Sequence, residues 1–536
     1  MPTQARAKLA LTLLAVASAL TAAPSFAHTA QFGEEGEVRY NFKANYGLAK
    51  RLEAPNATLI DPATSVNFDD GNRSFKKGAI INNRISLLGE ADIRYARNQG
   101  VFLRAQAFYD AAYHGINDND SAATFNGFGP NNRFTDGTRD SAGGNARFLD
   151  AYWYGDFDFG EGRNLGLKVG RHVLSWGEAL FFANIAGAQS PVDVDKINVP
   201  GAQVKDFLLP VGQVSAQYNI NDNFSVMAYT QYEFRETKIP SAGNFWSIAD
   251  LVGPGSESLN VGFKLPRFHD IEARKSGQWG IGTRYRLSAD TEVGAYHLRY
   301  HNRAPSVNLT FASATPNYQH RYLEDIKLTG LSLTTRAGDV SVGAELSYKQ
   351  NTPINVLTPG GALSYNNLDP AFPNGYRGNV VQAQVNALYT IDPNALASGG
   401  TSLAAEIVHQ QTVKNNTPYE LANSKGVTAL ALALTPSYND VFTGWNLSVP
   451  IVFMTNLQGK ASANCGPAAC HGTYPSGDSI TLLGDKEKRL SIGANFVYMS
   501  NLQVGVSLNK FLGKADNNRN PLADRDNLAL SVTYNF

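Results

Sequence analysis

Cysteines, long apolar runs and an excess of basic residues are all missing or scarce in this 536-residue sequence. Its two cysteines are too few for a disulfide framework or a multi-thiolate metal site. No run of 18 or more apolar residues follows the N-terminal region, which excludes a transmembrane helix there. Basic and acidic residues number 46 each, so the basic field of a nucleic-acid-binding protein is absent, and we expect no nucleic-acid partner. Without a P-loop, a dinucleotide fingerprint or a metal-spaced histidine cluster, we expect neither a cofactor nor a metal.

The N-terminus has the features of a secretory signal peptide. Arg6 and Lys8 form a short basic region, the apolar run LALTLLAVASALTAA follows, and SFA ends in small residues. We expect cleavage after Ala27, so that residues 1–27 are removed and residues 28–536 form the mature protein. The alternative is an N-terminal membrane anchor, for which the apolar run is short. The mature chain is then periplasmic, secreted, or an outer-membrane barrel.

The C-terminal stretch NLALSVTYNF shows the pattern that recurs along the chain. Every second residue from Leu528 to Phe536 is apolar, and the residues between them are small or polar. Such alternation over ten residues predicts a strand long enough to cross a bilayer. Similar segments predict about eighteen strands in all. Before the last three, they begin near Glu37, Arg84, Gly100, Ala146, Arg163, Val211, Asn223, Ser276, Thr291, His320, Asp339, Gly378, Gly400, Lys425 and Phe442.

The connections between these segments alternate between short and long. Outer-membrane barrels have short periplasmic turns and long outer loops. We therefore predict an all-β, transmembrane, antiparallel barrel in the cell outer membrane, surrounded by outer-membrane lipid. The terminal Phe536 resembles the final aromatic residue by which the barrel assembly machinery recognises such proteins. The alternative, a soluble propeller or sandwich, would show a blade repeat or domain linkers, and neither occurs.

Alternation also assigns side chains to the lipid or to the lumen. If the apolar residues of two consecutive strands face lipid (Trp279, Ile281 and Tyr285, then Tyr296, Leu298 and Tyr300), the basic residues between them face inward. The resulting lumen stripe consists of Arg284, Arg286, His297, Arg299 and His301. Asp150, Asp156, Asp158, Glu90 and Asp92 are assigned to the lumen in the same way. A lumen wall with one basic region and one acidic region suits an ion-selective pore. The alternative is that the charges pair across the lumen and only make it polar.

The connection at residues 174–210 is unusually rich in mixed apolar and charged residues. Ser175 and Glu178 fit a helix N-cap with a capping box, which predicts a short helix from Glu178 to Ala188. Phe181 and Phe182 are too apolar to remain in water, so we expect this loop to fold into the barrel and constrict or plug it. The alternative is that the loop packs only against other outer loops.

The candidate substrate path follows from this loop and the strand before it. Its residues are Arg171, His172, Trp176, Glu178, Phe181, Phe182, Asp193, Asp195 and Lys196. The aromatic members would form an apolar contact zone, and the charged members of the loop would anchor or gate it. His172, Ser175 and Glu178 also raise the possibility of a barrel lipase or esterase, but no G-x-S-x-G elbow surrounds the serine. We expect no enzymatic activity.

Cys465 and Cys470 lie in NCGPAACHG, five residues apart. In an oxidising compartment they are expected to close a small structural disulfide ring. A metal site here would need more thiols or a histidine cluster than the adjacent His471 supplies.

Three stretches resemble a known family, the Gram-negative proteins of the domain of unknown function 1302. They are GRHVLSWGEALFF, SPVDVDKINVPGAQVKD and NYGLAKRLEAPNATLI, and the terminal strand fits too, so the resemblance covers essentially the whole mature chain. Ser190 is the one departure, since the family has Asn before the proline. The resemblance implies an outer-membrane barrel, of a kind often encoded near a periplasmic lipoprotein-carrier-like protein and an inner-membrane transporter of the resistance-nodulation-division class, which are the partners it suggests. It also implies movement of lipids or other apolar molecules, and it carries over no catalytic residue.

The favoured function is an outer-membrane channel or transporter for hydrophobic or amphipathic small molecules, as the outer part of a trans-envelope system. A water-filled porin selective for polar or anionic solutes is the first alternative, and would use the basic stripe. The lipase or esterase is the second alternative.

Overall fold

Eighteen antiparallel strands close into one barrel in the computed structural model, which describes residues 28–311, 314–357, 371–463 and 485–536. The first strand pairs with the last, from Lys43 opposite Asn535 to Arg51 opposite Asn527, and this pairing closes the sheet. The strands are β1 (Gly36–Arg51), β2 (Ile80–Ala96), β3 (Gln99–Asp110), β4 (Gly144–Asp158), β5 (Asn164–His172), β6 (Val211–Asn219), β7 (Phe224–Gln231), β8 (Gln278–Arg286), β9 (Thr291–Tyr300), β10 (Ile326–Ala337), β11 (Val340–Pro353), β12 (Arg377–Ile391), β13 (Thr401–Asn415), β14 (Gly426–Phe442), β15 (Trp445–Ser448 and Ile451–Gln458), β16 (Lys488–Tyr498), β17 (Leu502–Leu512) and β18 (Asn527–Asn535). The predicted all-β barrel of about eighteen strands is confirmed. The predicted signal peptide at residues 1–27 and the predicted Cys465–Cys470 disulfide lie outside the described residues.

Short and long connections alternate around the whole barrel, as predicted. The short turns, such as 97–98, 220–223 and 338–339, lie at one end of the strands. The long connections leave and re-enter the barrel at the other end. Their described residues are 52–79, 111–143, 173–210, 232–277, 301–311 with 314–325, 354–357 with 371–376, 416–425, 459–463 with 485–487, and 513–526. In an outer-membrane barrel the short turns face the periplasm and the long loops face outside.

The outer surface of the barrel is an apolar belt. Leu331 on β10, Leu346 on β11 and Ile407 on β13 all point outward and are exposed. On β18, Leu528 is exposed while Ala529 and Thr533 are buried, so the predicted apolar face of the last strand is the outward one. An exposed apolar surface that continues from strand to strand suits contact with lipid rather than water.

Helices occur only as short segments within the described residues, and none of them is long and apolar enough to cross a membrane. The α-helical turns are Asp70–Arg73, Asp136–Thr138, Val194–Ile197 and Val204–Phe207. The 3₁₀ turns are Ala57–Ile60, Ala111–Tyr113 and Ala186–Ala188, and Arg139–Gly143 is a π turn. The strand His28–Phe32 forms a hairpin with the start of β1, with which it pairs antiparallel from His28 opposite Tyr40 to Phe32 opposite Gly36. Two further hairpins lie in the loops, Ser258–Asn260 with Lys264–Pro266 and Ser306–Thr310 with Asn317–Arg321.

Two long loops fold into the barrel and create apolar cores there. Phe245, from loop 232–277, is fully buried in a cluster with Ala49 on β1 and Ala529 on β18, which pair with each other on the inner face. Trp176 and Ile185, from loop 173–210, pack with inward-facing residues of β7, β9 and β10. The predicted inward folding of the loop at 174–210 is therefore confirmed. Loop 232–277 also folds into the barrel, which the sequence does not predict.

The predicted helix at Glu178–Ala188 is wrong in position. Most of that segment is irregular, with a 3₁₀ turn at Ala186–Ala188, and the helical turns of the loop lie later in the chain. The reason is competition for backbone N–H groups, because wall carboxylates take the donors that an α-helix would have used. The predicted capping box at Ser175 and Glu178 is also not formed, whereas Asp206 Oδ2 accepts a hydrogen bond from the N–H of Gln203 at 2.9 Å.

Candidate functional site: the constriction loop and the lumen

Residues 174–210, here called the constriction loop, are held at their first end by two carboxylates of the barrel wall. Glu406 on β13 accepts hydrogen bonds from the N–H groups of Leu180 at 3.2 Å, Phe181 at 2.6 Å and Phe182 at 2.8 Å. Glu345 on β11 accepts from Ala179 at 3.1 Å, and from Glu178 and Ile185. Both carboxylates are buried. Hydrogen bonds from several N–H groups to one carboxylate are charge-assisted, and they compensate for the loss of hydration on burial.

Wall amides hold the carbonyl groups of the same segment. Gln384 donates to the carbonyl of Phe182 at 3.1 Å, and Asn386 donates to that of Glu178 at 2.6 Å. Gln382 donates to the carbonyl of Ala183 at 3.1 Å. The backbone of the loop from residue 178 to 183 is thus bonded on both its donor and acceptor sides, although it belongs to no sheet.

The aromatic residues of the loop pack against the wall. Phe182 is completely buried among Val408 on β13 and three residues of β14. The Trp176 ring contacts Tyr229 edge to face, with centroids 5.1 Å apart, and stacks on Tyr296 at 6.0 Å. These side chains anchor the loop, and complete burial prevents Phe182 from lining a solute path.

The middle of the loop is fixed at another wall. The carbonyl of Gln189 accepts from Gln231 on β7 at 2.8 Å and from Arg303 at 3.1 Å. The Gln189 side chain in turn accepts from the N–H of Trp176 at 2.7 Å. Gln189 therefore links the aromatic anchor to the β7 side of the barrel.

The last part of the loop is held by ion pairs and polar contacts to β1, β3 and β4. Lys43 on β1 pairs with Asp206 at 2.8 Å, and Arg104 on β3 donates to the carbonyl of Lys205 at 2.8 Å. Arg147 on β4 pairs with the fully buried Asp193. Since β1–β4 lie across the barrel from β11–β14, the constriction loop spans the lumen from wall to wall.

The two aspartates of the loop have opposite electrostatic environments. Burial acts to raise the pKa of Asp193, but the charges of Lys238, Arg147 and Lys196 outweigh it and lower that pKa to about 2. Burial raises the pKa of Asp195 to about 7, and Lys238 opposes this only in part. Asp195 Oδ1 accepts from Asn244 at 3.0 Å, which joins the constriction loop to loop 232–277. Asp193, Asp195 and Lys196 thus hold the loop in place through Arg147, Asn244 and Gln106, respectively.

A cavity of about 320 Å³ lies between the loop and the inner face of β4–β7. Asn164, at the short-turn end of β5, is part of its lining, so the cavity extends toward the periplasmic end. The other polar lining residues include Tyr154, Asp156, Lys168, Ser215 and Gln217, and the apolar ones include Leu174, Trp176 and Met227. This cavity is the candidate solute path beside the constriction loop.

The predicted basic stripe is divided between the two faces of the barrel. Arg284 and Arg286 belong to the inward-facing set of β8, as predicted. His297 pairs with Ile281 and Arg299 pairs with Trp279, and directly paired residues share a face, so both lie on the outer face. His301 follows β9 and is buried, 3.0 Å from the carbonyl of Ser276.

The error on β9 has a physical cause. Tyr296, Leu298 and Tyr300 are apolar yet face inward, because Trp176 and Ile185 of the constriction loop give them an apolar environment. The rule that apolar residues face lipid fails wherever a loop fills the lumen.

Arg171 was also placed wrongly in the substrate path. It follows Val169 in the outward-facing set of β5 and forms an ion pair with Glu233 at 2.6 Å on an exposed surface. His172 does face inward, where its Nε2 shares a hydrogen bond with Ser215 Oγ at 2.8 Å. Its Nδ1 lies 3.1 Å from the carbonyl of Gly170, so both ring nitrogens contact partners other than Ser175.

Glu345 and Glu406 are the most important residues that sequence reasoning missed. Each is an acidic residue in the middle of a strand, within AELSY and AAEIV. An acidic residue at an inward position of a spanning strand was the available signal, because such a group needs a partner in the lumen.

The closed barrel with an apolar belt, long loops at one end and an inward-folded loop defines an outer-membrane channel protein. The chain belongs to the DUF1302 family, described as "Protein of unknown function", whose model matches residues 8–536. The predicted family and the predicted outer-membrane location are thereby confirmed.

Three solved structures are similar to this chain at low identity. Pseudomonas aeruginosa OccK11 (OpdR) is 11% identical, with a TM-score of 0.44 over 95% of this chain and 99% of that chain. Acinetobacter baumannii OccAB1 is 10% identical, with a TM-score of 0.44 over 96% and 99%. A BenF-like porin from Pseudomonas fluorescens Pf-5 is 10% identical, with a TM-score of 0.43 over 93% and 98%. No curated protein matches the chain.

Proposed function

We propose that this protein is a constricted, substrate-selective channel for small polar or charged solutes. One observation carries the proposal: the constriction loop binds the wall through buried aromatic side chains, and the cavity that remains beside it is lined by charged and polar as well as apolar side chains. A hydrophobic solute would need a mainly apolar lining, whereas six of the twelve residues that line this cavity are polar and Phe182 is fully buried in the wall.

The charges of the cavity favour a solute with an ionised group. Lys168 and Asp156 both line it and both are exposed to the lumen. Trp176 and Met227 supply an apolar contact on one side. Small sites usually combine an apolar contact with a few placed polar groups, so the fitting solute is a small molecule with a charged group and a compact apolar body.

The test is the charge selectivity of single channels in planar bilayers. Lys168→Glu replaces a lumen cation by an anion, so we expect permeability to shift measurably from anions toward cations. Lys327→Glu is the matched control, because Lys327 is exposed on the outer face of β10, opposite Arg299. Unchanged ion selectivity in Lys168→Glu, in a protein that conducts, would contradict the proposed path.

A second candidate is passage of hydrophobic or amphipathic molecules within a trans-envelope system. Leu174, Trp176 and Met227, which together line the cavity, favour it. A periplasmic lipoprotein-carrier-like protein and a resistance-nodulation-division transporter remain its predicted partners. Uptake of a fluorescent fatty acid by vesicles that contain the protein, with no ion conductance, would support this candidate over the first.

A further inference from the structure

Three buried carboxylates from two outer loops meet away from the constriction site. Asp69 and Asp70 belong to loop 52–79 and Asp250 belongs to loop 232–277. One carboxylate oxygen of each lies within 4.8 Å of the others. Because like charges at such distances repel, an arrangement of this kind needs compensation from a cation or from protons.

Hydrogen bonds satisfy only part of the cluster. Asp70 accepts from the side chain of Asn119 and the N–H of Asn126, both at 3.1 Å. Asp250 Oδ2 accepts from the N–H of Asp70 at 3.2 Å. Among the described residues, Asp69 Oδ1 and Asp250 Oδ1 are buried with no hydrogen-bond partner. Such oxygens are costly to bury, so each has capacity for a ligand.

A neutral oxygen beside the cluster gives independent support. The Asn126 side chain donates to Asn67 Oδ1 at 2.7 Å and to the carbonyl of Ser258 at 3.1 Å. These bonds orient the amide and leave Asn126 Oδ1 buried without a partner in the described part of the chain. Asn126 lines a small cavity of about 10 Å³ together with Asp70 and Asp250, so these oxygen-bearing side chains surround one space.

Positive charge compensates the cluster only in part, since Arg73 acts on Asp69 and Lys264 acts on Asp70. Arg73 pairs with Asp69 at 2.5 Å but also with the exposed Asp120 at 3.0 Å. Arg73 balances one of the three buried carboxylates, and a bound cation would balance the others.

We propose that Asp69, Asp70, Asp250 and the amide oxygen of Asn126 bind one Ca²⁺ ion. Ca²⁺ takes six to eight oxygen ligands, which include carboxylates, amide oxygens and waters, in flexible geometry. The ion would join loop 52–79, loop 232–277 and, through Asn126, loop 111–143. It would thereby fix the outer loops over the mouth of the barrel.

The experiment titrates the refolded, lipopolysaccharide-free, full-length protein in detergent with CaCl₂ by calorimetry, after treatment with EDTA. We expect one Ca²⁺ per chain and a higher unfolding midpoint when Ca²⁺ is added, because a ligand that binds only the folded state stabilises it. Asp250→Asn should weaken the binding at least tenfold. Asp136→Asn, which changes an exposed acid of loop 111–143, should leave it unchanged.

Two results would overturn the proposal. If the unmodified protein binds no Ca²⁺ and its unfolding midpoint does not move, the carboxylates are held as protonated acids. If Asp250→Asn is folded, as judged by its heat-modifiable migration, and binds Ca²⁺ as tightly as the unmodified protein, the ion binds elsewhere. If Asp250→Asn does not fold, the Ca²⁺ titration of the unmodified protein alone tests the proposal.

Discussion

At the scale of single residues, two glutamates decide how the lumen is filled. The carboxylates of Glu345 and Glu406, on the barrel wall, each accept hydrogen bonds from three backbone N–H groups of the constriction loop. They take the place of the backbone carbonyl groups that would accept such bonds in an α-helix. A hydrogen bond to a charged group contributes about 1.5–3 kcal/mol. The loop segment is therefore held in one irregular conformation by the wall rather than by its own helix propensity.

Replacing one of these anchors should loosen the loop. In Glu406→Gln one carboxylate oxygen becomes an amide NH₂, which cannot accept the N–H groups of Phe181 and Phe182. We expect loop docking to weaken by about 1–3 kcal/mol, the cost of leaving a buried donor without a partner. Current recordings should show more flicker between conductance levels than in the unmodified protein.

The control is Glu161→Gln, which changes an exposed glutamate in the turn between β4 and β5. It should leave the recordings unchanged. Identical current traces for Glu406→Gln and the unmodified protein would mean that the carboxylate does not hold the loop.

The sequence could predict some of these residues and not others. Arg284 was assigned to the lumen correctly because its strand has a lipid-facing apolar set on the opposite face. The partners of Glu345 and Glu406 lie about 160 to 230 residues away in sequence, so no local pattern links them. Their contacts depend on how the barrel closes.

At the scale of elements, the strands were more predictable than the loops. The ladder of β17 with β18 and the short turns follow directly from local alternation and turn residues. Strand β9 was assigned the wrong face, since its inward apolar residues pack on a loop and not on lipid. β15 is interrupted at Pro450, which has no N–H to donate to the sheet.

The lipid-facing belt gives a prediction about strands. Ile407 lies midway along β13 and points outward, so Ile407→Arg should place a charge in the centre of the lipid. We expect the free energy of unfolding to fall by about 2–4 kcal/mol, as measured by urea titration of the protein in lipid vesicles. Ile391→Arg, at the end of β12 beside a turn, should cost only about 0–1 kcal/mol. Equal losses in the two variants would contradict the proposed position of the membrane.

At the scale of the whole molecule, the barrel and the constriction loop have separate sources of stability. The barrel is closed by strand pairing, including that of β1 with β18. The loop is held by its contacts to opposite walls, from Glu406 at one side to Lys43 at the other. We therefore expect the barrel to fold without the loop, while selectivity depends on the loop.

The role of the constriction loop is tested by comparing two single-channel conductances. One is that of the intact protein, and the other is that of a form in which a short glycine linker replaces residues 175–209. We expect small, charge-selective openings in the intact protein. In the shortened form we expect a conductance several-fold larger, with little selectivity. Equal conductance and selectivity in the two folded proteins would mean that the constriction loop does not define the path through the barrel.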